Sequence, residues 1–309
     1  MKPKTIKAIL TKKHTDFIKS IDNENVRNVI NNNSIITGGA IASMLLNEKV
    51  NDYDYYFTNK ESAKVVADYF VAKFKELNPT NSISEHLLVE SYTDFRNEER
   101  LRILVKSDGF VTEGETNPDF VDIDADEISS NALDLGDFKI ETEEDPKSSL
   151  PKYRPVCLSS NAISLANGVQ LIIRFYGNPE EIHSNYDFEH CKCYWVAKTN
   201  HLELPQRALL CLLNRELLYT GSKYPLCSII RTRKFIRRGW QINAGQYVKM
   251  AMQLNELDLA KVDVLEDQLT GVDVSYFFQV IHQIKERMAE NPDFNLTPAY
   301  LIEVVDRLF

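Results

Sequence analysis

No stretch of this sequence stays apolar for the roughly 18 or more residues that a membrane-crossing helix needs. The opening residues, MKPKTIKAILTKKHTDF, are basic but have no continuous apolar centre and no small-residue cleavage site, so no secretory leader is expected. Cysteine is scarce. Its five copies are odd in number and scattered, which argues against a disulfide framework and for reduced thiols in a cytoplasmic setting. His183, His190, Cys191 and Cys193 lie close together, but no second cysteine pair stands at ligand spacing, so zinc is disfavoured. No internal repeat or low-complexity run is found.

What is present is ordinary globular material, with 43% hydrophobic and 26% charged residues in 309 positions, enough for about two domains. The net charge of −9 conceals two poles. From Asp108 to Lys147 there are fourteen acids against two bases, whereas from His190 to Met250 there are eleven Lys or Arg against two Glu.

Read in order, residues 1–34 have the apolar spacing of one or two helices, and Asn31-Asn32-Asn33-Ser34 breaks it. Ala63 to Leu77 is a strongly amphipathic helix. Leu87-Leu88-Val89 and Leu101 to Val105 read as strands. Residues 106–150, with acids at almost every third position and few large apolar side chains, are poorly equipped to build a core and read as a solvated insertion.

Further on, Asn167-Gly168 is a turn, Val169 to Phe175 a buried strand, and Gly177 to Glu181 a helix start. Tyr186 to Trp195 alternates as another strand, with Asp187 at its beginning. Gln206 to Tyr219 and Ala244 to Leu254 read as helices, as do Val274 to Met288 and Pro298 to Leu308. In Pro225 to Trp240, Arg231, Lys234 and Arg238 fall on one helical side while Ile230, Phe235 and Ile236 can face inward. That basic stripe could grip a triphosphate or a phosphodiester backbone.

The rest is organised around Ile35 to Phe57, IITGGAIASMLLNEKVNDYDYYF, which reads as strand, tight turn, helix and strand. Side chains along a strand change face at each residue, so Asp52 and Asp54 project to one side, about 7 Å apart. Phosphoryl chemistry needs backbone N–H groups at a helix start to hold phosphate oxygens, and clustered carboxylates to hold Mg²⁺. Gly38-Gly39 could supply the first and Asp52 with Asp54 the second. Phe120-Val121-Asp122-Ile123-Asp124 is a rival source of carboxylates.

The segment resembles the signature of the polymerase-beta-like nucleotidyltransferase superfamily, in which a Gly-Gly or Gly-Ser pair opens a helix and Asp-x-Asp follows on the next strand. Ser159 to Ile163, the strand carrying Asp187, and Pro225 to Gly239 are also similar to nucleotidyltransferase-like proteins of bacteriophages. The resemblance implies that Gly38 and Gly39, with Ser43 on the same helix, hold an NTP. It further implies that Asp52 and Asp54 bind Mg²⁺, or Mn²⁺ in its place, and that Asp187 supplies a third carboxylate from a later strand. Arg231, Lys234 and Arg238 would be phosphate contacts. Where the tRNA CCA-adding and poly(A) branch carries Val-Arg-Asp after its glycines, this chain has Ile41-Ala42-Ser43.

The resulting expectation is an α+β protein: N-terminal helices over 1–34, a mixed-sheet nucleotidyltransferase core over 35–203 interrupted by the acidic insertion, and a helical domain over 204–309. The expected activity is NMP transfer from an NTP to a hydroxyl, with RNA or tRNA favoured as acceptor by the basic stripe. A host cytoplasm would be its setting if a phage encodes it. The alternatives are NMP transfer to a protein or small molecule, and a binding or inhibitor protein that keeps the fold without turnover.

Overall fold

A computed structural model describes residues 1–79, 86–94, 97–105, 110–112 and 151–259, with isolated positions 261, 264, 265, 268, 284, 288, 289, 291, 297 and 299 beyond them. Most of the acidic insertion, including Phe120 to Asp124, lies outside the described residues. So does nearly all of the helices expected over 274–288 and 298–308.

The protein is α+β and divides into two compact units, Met1–Pro118 with Ile140–Asn214, and Asp119–Lys139 with Arg215–Phe309. The first begins with α1 (Pro3–Lys19) and α2 (Glu24–Asn33). In α1, Ile6, Leu10, His14 and Phe17 recur every three or four residues, and all four are buried. Asn23 starts α2 by accepting a 3.1 Å bond from the Val26 N–H.

Next come β1 (Ser34–Thr37), α3 (Gly39–Leu46), β2 (Tyr53–Phe57) and α4 (Lys60–Leu77), so the expected strand, turn, helix and strand are all present. Asp52 stands one residue ahead of β2. In α4 the same spacing buries Ala63, Val66, Ala67, Phe70, Val71 and Phe74. The strands β3 (Leu88–Thr93) and β4 (Glu99–Leu104) form a two-stranded antiparallel sheet.

The remaining elements of this unit are β5 (Phe110–Thr112), β6 (Pro155–Ser159), β7 (Ala162–Leu165), β8 (Val169–Tyr176), α5 (Pro179–His183), β9 (Tyr194–Val196), β10 (His201–Glu203) and α6 (Gln206–Asn214). Among the described residues one mixed sheet runs β10-β9-β1-β2-β8-β7-β6-β5. Its one parallel pair, β2 with β8, places side by side two strands more than a hundred residues apart.

Cross-strand register sorts the sheet into rows. Trp195, Ile36, Tyr55, Leu171, Ile163 and Leu158 are consecutive partners across six strands, and each is almost wholly buried. α1 covers this face: the Phe17 ring meets Tyr55 edge-on at 5.3 Å, and His14 meets Trp195 at 5.4 Å. One residue along, the pleat turns the next row to the opposite face. That row reads Tyr194, Thr37, Asp54, Gln170, Ser164 and Cys157, and all but Thr37 keep partial access to solvent.

α5 carries a complete capping box: Asn178 accepts from the Glu181 N–H, and the Glu181 carboxylate accepts from the Asn178 N–H at 2.7 Å. Asn178→Ala is expected to cost about 1 kcal/mol. That would appear in a thermal melt as a fall of about 2 °C.

Three expectations need correction. Tyr186 to Trp195 is not one strand. Asp187, Phe188, Glu189 and His190 are buried in succession rather than alternately, and short-range bonds such as Lys192 N–H to Glu189 O, 3.1 Å, wind Glu189–Cys191 into a 3-10 turn. Asp187 therefore lies in a bend between α5 and that turn. The helix read from Gln206 to Tyr219 stops at Asn214, because Arg215 takes a left-handed φ of 50° and the chain turns into a bridge between Glu216 and Gln241. In the second unit, α7 (Pro225–Arg237) buries Ile230 but leaves Ile236 46% exposed. The helix α8 (Ala244–Leu254) has the bounds its spacing implied. No described helix is long and apolar enough to cross a membrane.

Candidate active site

The Gly38-Gly39 turn and the Asp52, Asp54 pair come together on the polar face of the sheet. Gly38 has φ +92°, open to glycine at little cost, and its N–H bonds to Cys191 O at 3.2 Å. A Cβ there would stand 3.1 Å from Asp54 Oδ2 and 3.4 Å from the Tyr186 hydroxyl. The turn is thus closed beneath by a carboxylate and a phenol. Above the next residue there is room, since a Cβ on Gly39 would meet nothing within 4 Å. Gly39 opens α3, whose first amides have no partners within the helix and face the positive end of its dipole. An open helix start beside a half-buried carboxylate suits a phosphate bridged to a cation.

Burial first, and then the neighbouring Asp52 charge, hold the Asp54 carboxyl well above the usual carboxylate range. Two carboxylates that repel each other at close range have a standing need for positive charge. Gln170 adds an amide beside Asp54 in register, and the oxygens here are the hard donors that Mg²⁺ or Mn²⁺ takes. Asp52 and Asp54 with Gln170 therefore fit a divalent cation. Among the described residues, no group of three or more His, Cys, Asp or Glu gathers to hold a metal, so the other ligands would come from substrate phosphates and water.

The sequence did not point to the layer that holds this pair. Thr37 Oγ1 donates to Cys193 O at 3.0 Å, and lies 2.8 Å from His183 Nε2. A hydroxyl has one proton to give, so His183 is assigned as the donor to Thr37, which fixes its Nε2-protonated tautomer. Burial, helped by the Lys192 charge, lowers its pKa to about 4, so the ring is neutral at physiological pH. The Tyr186 hydroxyl bonds to Tyr56 and Thr37, and burial pushes its pKa far up, Tyr56 and Asp54 adding to the shift.

The other site candidates are placed as follows. Ser43 is half-buried on α3, one turn along from Gly39. Asp187 is buried at 7% exposure, next in the chain to the tyrosine that meets Asp54. Arg231 and Lys234 are half-buried on α7, and Arg238 is its exposed C-cap. His183 belongs to the hydroxyl network, not to a zinc cluster.

The Asp54 shift has a pH signature. A carboxyl with a raised folded pKa holds its proton in the native state after the unfolded chain has released it, so it favours folding at low pH. That contribution is lost as pH rises from near the unfolded value of 3.8 through the folded value. Cation binding runs the other way, needing the ionised pair. Without metal, the Asp54 contribution to Tm should decline with rising pH, seen as a difference from Asp54→Asn. Added Mg²⁺ or Mn²⁺ should raise Tm at about pH 8 and do so least at about pH 5.

A family model described as "Gad2: Gabija anti-defense 2 family protein" matches residues 8–215. No curated protein matches the chain. Among solved structures, one titled as a tRNA-processing enzyme with CTP is 11% identical with a TM-score of 0.36, over 84% of this chain and 54% of its own. The CCA-adding enzyme of Bacillus stearothermophilus in complex with CTP is 10% identical with a TM-score of 0.34, over 76% and 44%. The chain spans about half the length of these two structures.

Proposed function

The chain belongs to the Gabija anti-defense 2 family, and from that premise we propose that it counters defense as a Mg²⁺-dependent nucleotidyltransferase, moving an NMP from an NTP to a hydroxyl, with RNA or tRNA as the favoured acceptor. The observation that carries this reading is the meeting of three parts in one place. Asp54 Oδ2 lies under the Gly38 turn, Asp52 raises its pKa, and the open start of α3 is next to both.

In this reading Gly38 shapes the turn, its own N–H engaged by Cys191 O, and the Gly39 amide with Ser43 holds the β- and γ-phosphates, while Asp52 and Asp54 hold the metal. A bound divalent cation would supply charge neutralisation and in-line positioning. The acceptor oxygen forms a bond to the α-phosphorus as the bond from that phosphorus to the β-bridging oxygen breaks, and pyrophosphate leaves with the electron pair. The acceptor proton passes to a site carboxylate. Asp187 is the candidate third carboxylate, but no metal-holding group of three acids forms among the described residues, and Arg231, Lys234 and Arg238 on α7 are proposed to contact phosphates of the acceptor.

The family's name favours a second reading, a binding or inhibitor protein that keeps the fold without turnover. Incubating the protein with each α-labelled NTP, Mg²⁺, total RNA and cell lysate separates the readings. Labelled RNA supports the first acceptor, and labelled protein or small molecule moves the acceptor while keeping the chemistry. No labelling with any NTP leaves the inhibitor reading.

A further inference from the structure

The outer side of α1 carries cations that the fold does not use. Residues 1–19 hold six lysines against one Asp in a chain of net charge −9. Lys4, Lys7, Lys12 and Lys19 are exposed. Among the described residues, the lysines that form ion pairs, Lys60, Lys64, Lys73, Lys192 and Lys261, lie elsewhere. Local electrostatics does not favour the arrangement either. α1 has no acid in its first turn, and Lys4 stands with Lys2 at the positive end of the helix dipole, where cations are unfavourable.

Spacing matches the row to a run of phosphates. Lys4, Lys12 and Lys19 fall within about 80° of one another around the helix and span about 22 Å. That is the rise of about six phosphates along one strand of a stacked duplex. On the other side of α1, the Lys13 ammonium bonds Asn167 O and sits over two rings, 5.0 Å from Tyr53 and 5.2 Å from Tyr153, which leaves the row turned outward. Tyr53 is half-buried and, one residue before Asp54 on β2, faces α1, so the row lies across the sheet from the Asp54 carboxylate.

We propose that the outer face of α1 is a docking surface for the phosphodiester backbone of a nucleic-acid strand, on the far side of the sheet from Asp54. The inference concerns binding alone and stands whether or not the site turns over.

The test is fluorescence anisotropy of labelled single strands of RNA and of DNA with the full chain, without NTP or divalent metal, across a salt series. The protein is compared with the variant Lys4→Gln, Lys7→Gln, Lys12→Gln, Lys19→Gln, since Gln matches Lys in helix propensity. Four backbone contacts at a slope of about 0.7 each should flatten the log affinity against log salt plot by about 3. Their loss should remove about 50-fold of the weakening between roughly 50 and 200 mM salt. The variant should melt close to the parent, because losing Lys4 and Lys7 from the positive half of α1 offsets losing Lys19 from its last turn, where a cation is favourable. Either strand bound in this way supports the surface, and the tighter one identifies the sugar.

The proposal is overturned if the parent binds neither strand at low salt, or if the folded variant keeps the full slope. Displacement of the strand by polyglutamate at equal charge would overturn it too, since the face would then attract any polyanion. Loss of slope in Arg231→Gln, Lys234→Gln, Arg238→Gln but not in the α1 variant would move the strand to α7.

Discussion

Asp54→Asn should make the protein more stable and abolish its labelling activity, both from one change. The side chain keeps its size and its oxygen under the Gly38 turn, so packing is nearly conserved. What disappears is a carboxylate held above its usual pKa by burial and by Asp52. At neutral pH that charge opposes folding, so its removal should raise Tm in metal-free buffer. The same charge is what a divalent cation would bind. Without it the transition state loses several kcal/mol of charge stabilisation, and labelling should fall about 1000-fold or more. Metal-induced stabilisation should vanish with it. Labelling unchanged by the substitution would rule out Asp54 as a ligand. A lower Tm with metal binding intact would mean that Asp54 is structural. Tyr186→Phe should give a milder result, because it removes the hydroxyl's bonds to Tyr56 and Thr37 and leaves the carboxylate pair in place.

The parts of this site that depend on short-range pattern could be read from the sequence. Glycine freedom, the eight-residue helix after it and the extended β2 act within about twenty residues, and Gly38, Gly39 and Asp54 fell where those rules place them, with Asp52 one residue short of the strand. The capping residues Asn23, Asn59 and Asn178 obey the same local logic. What could not be read was the row across the sheet. Thr37, Asp54, Gln170 and Ser164 become neighbours only because β8 joins β2 in parallel after the whole acidic insertion, and no local signal fixes that register. The Asp187 strand failed for a related reason. Alternating polar and apolar letters satisfy a strand, but four buried residues in succession satisfy a turn packed on several sides. Only the neighbours, α3 and α6, decide between them.

Gly168→Ala tests the support beneath Asp52, and the expected loss is large because two costs combine. Gly168 has φ +61°, a left-handed conformation that costs an alanine about 1 kcal/mol. Its Cβ would also stand 2.6 Å from Asn51 O and 3.7 Å from the Asp52 Cα. Both are backbone atoms, and no rotamer change moves them. Either the Asn167-Gly168 turn or the Asn51-Asp52 peptide must shift, although the Tyr53 N–H bond to Gly168 O, 3.0 Å, ties the two together. A destabilisation of about 2 to 4 kcal/mol is expected. Activity at a temperature where the variant is folded should fall further than stability alone accounts for, since Asp52 moves relative to Asp54. Gly39→Ala provides the contrast. It sits in the first turn of α3 with open space where the methyl would go, so its Tm should hold or rise slightly. If that space is where phosphates bind, KM for the NTP rises while the fold is untouched. A Gly168→Ala protein as stable and active as the parent would mean that the turn does not brace Asp52, and that the carboxylate pair is held by β2 alone.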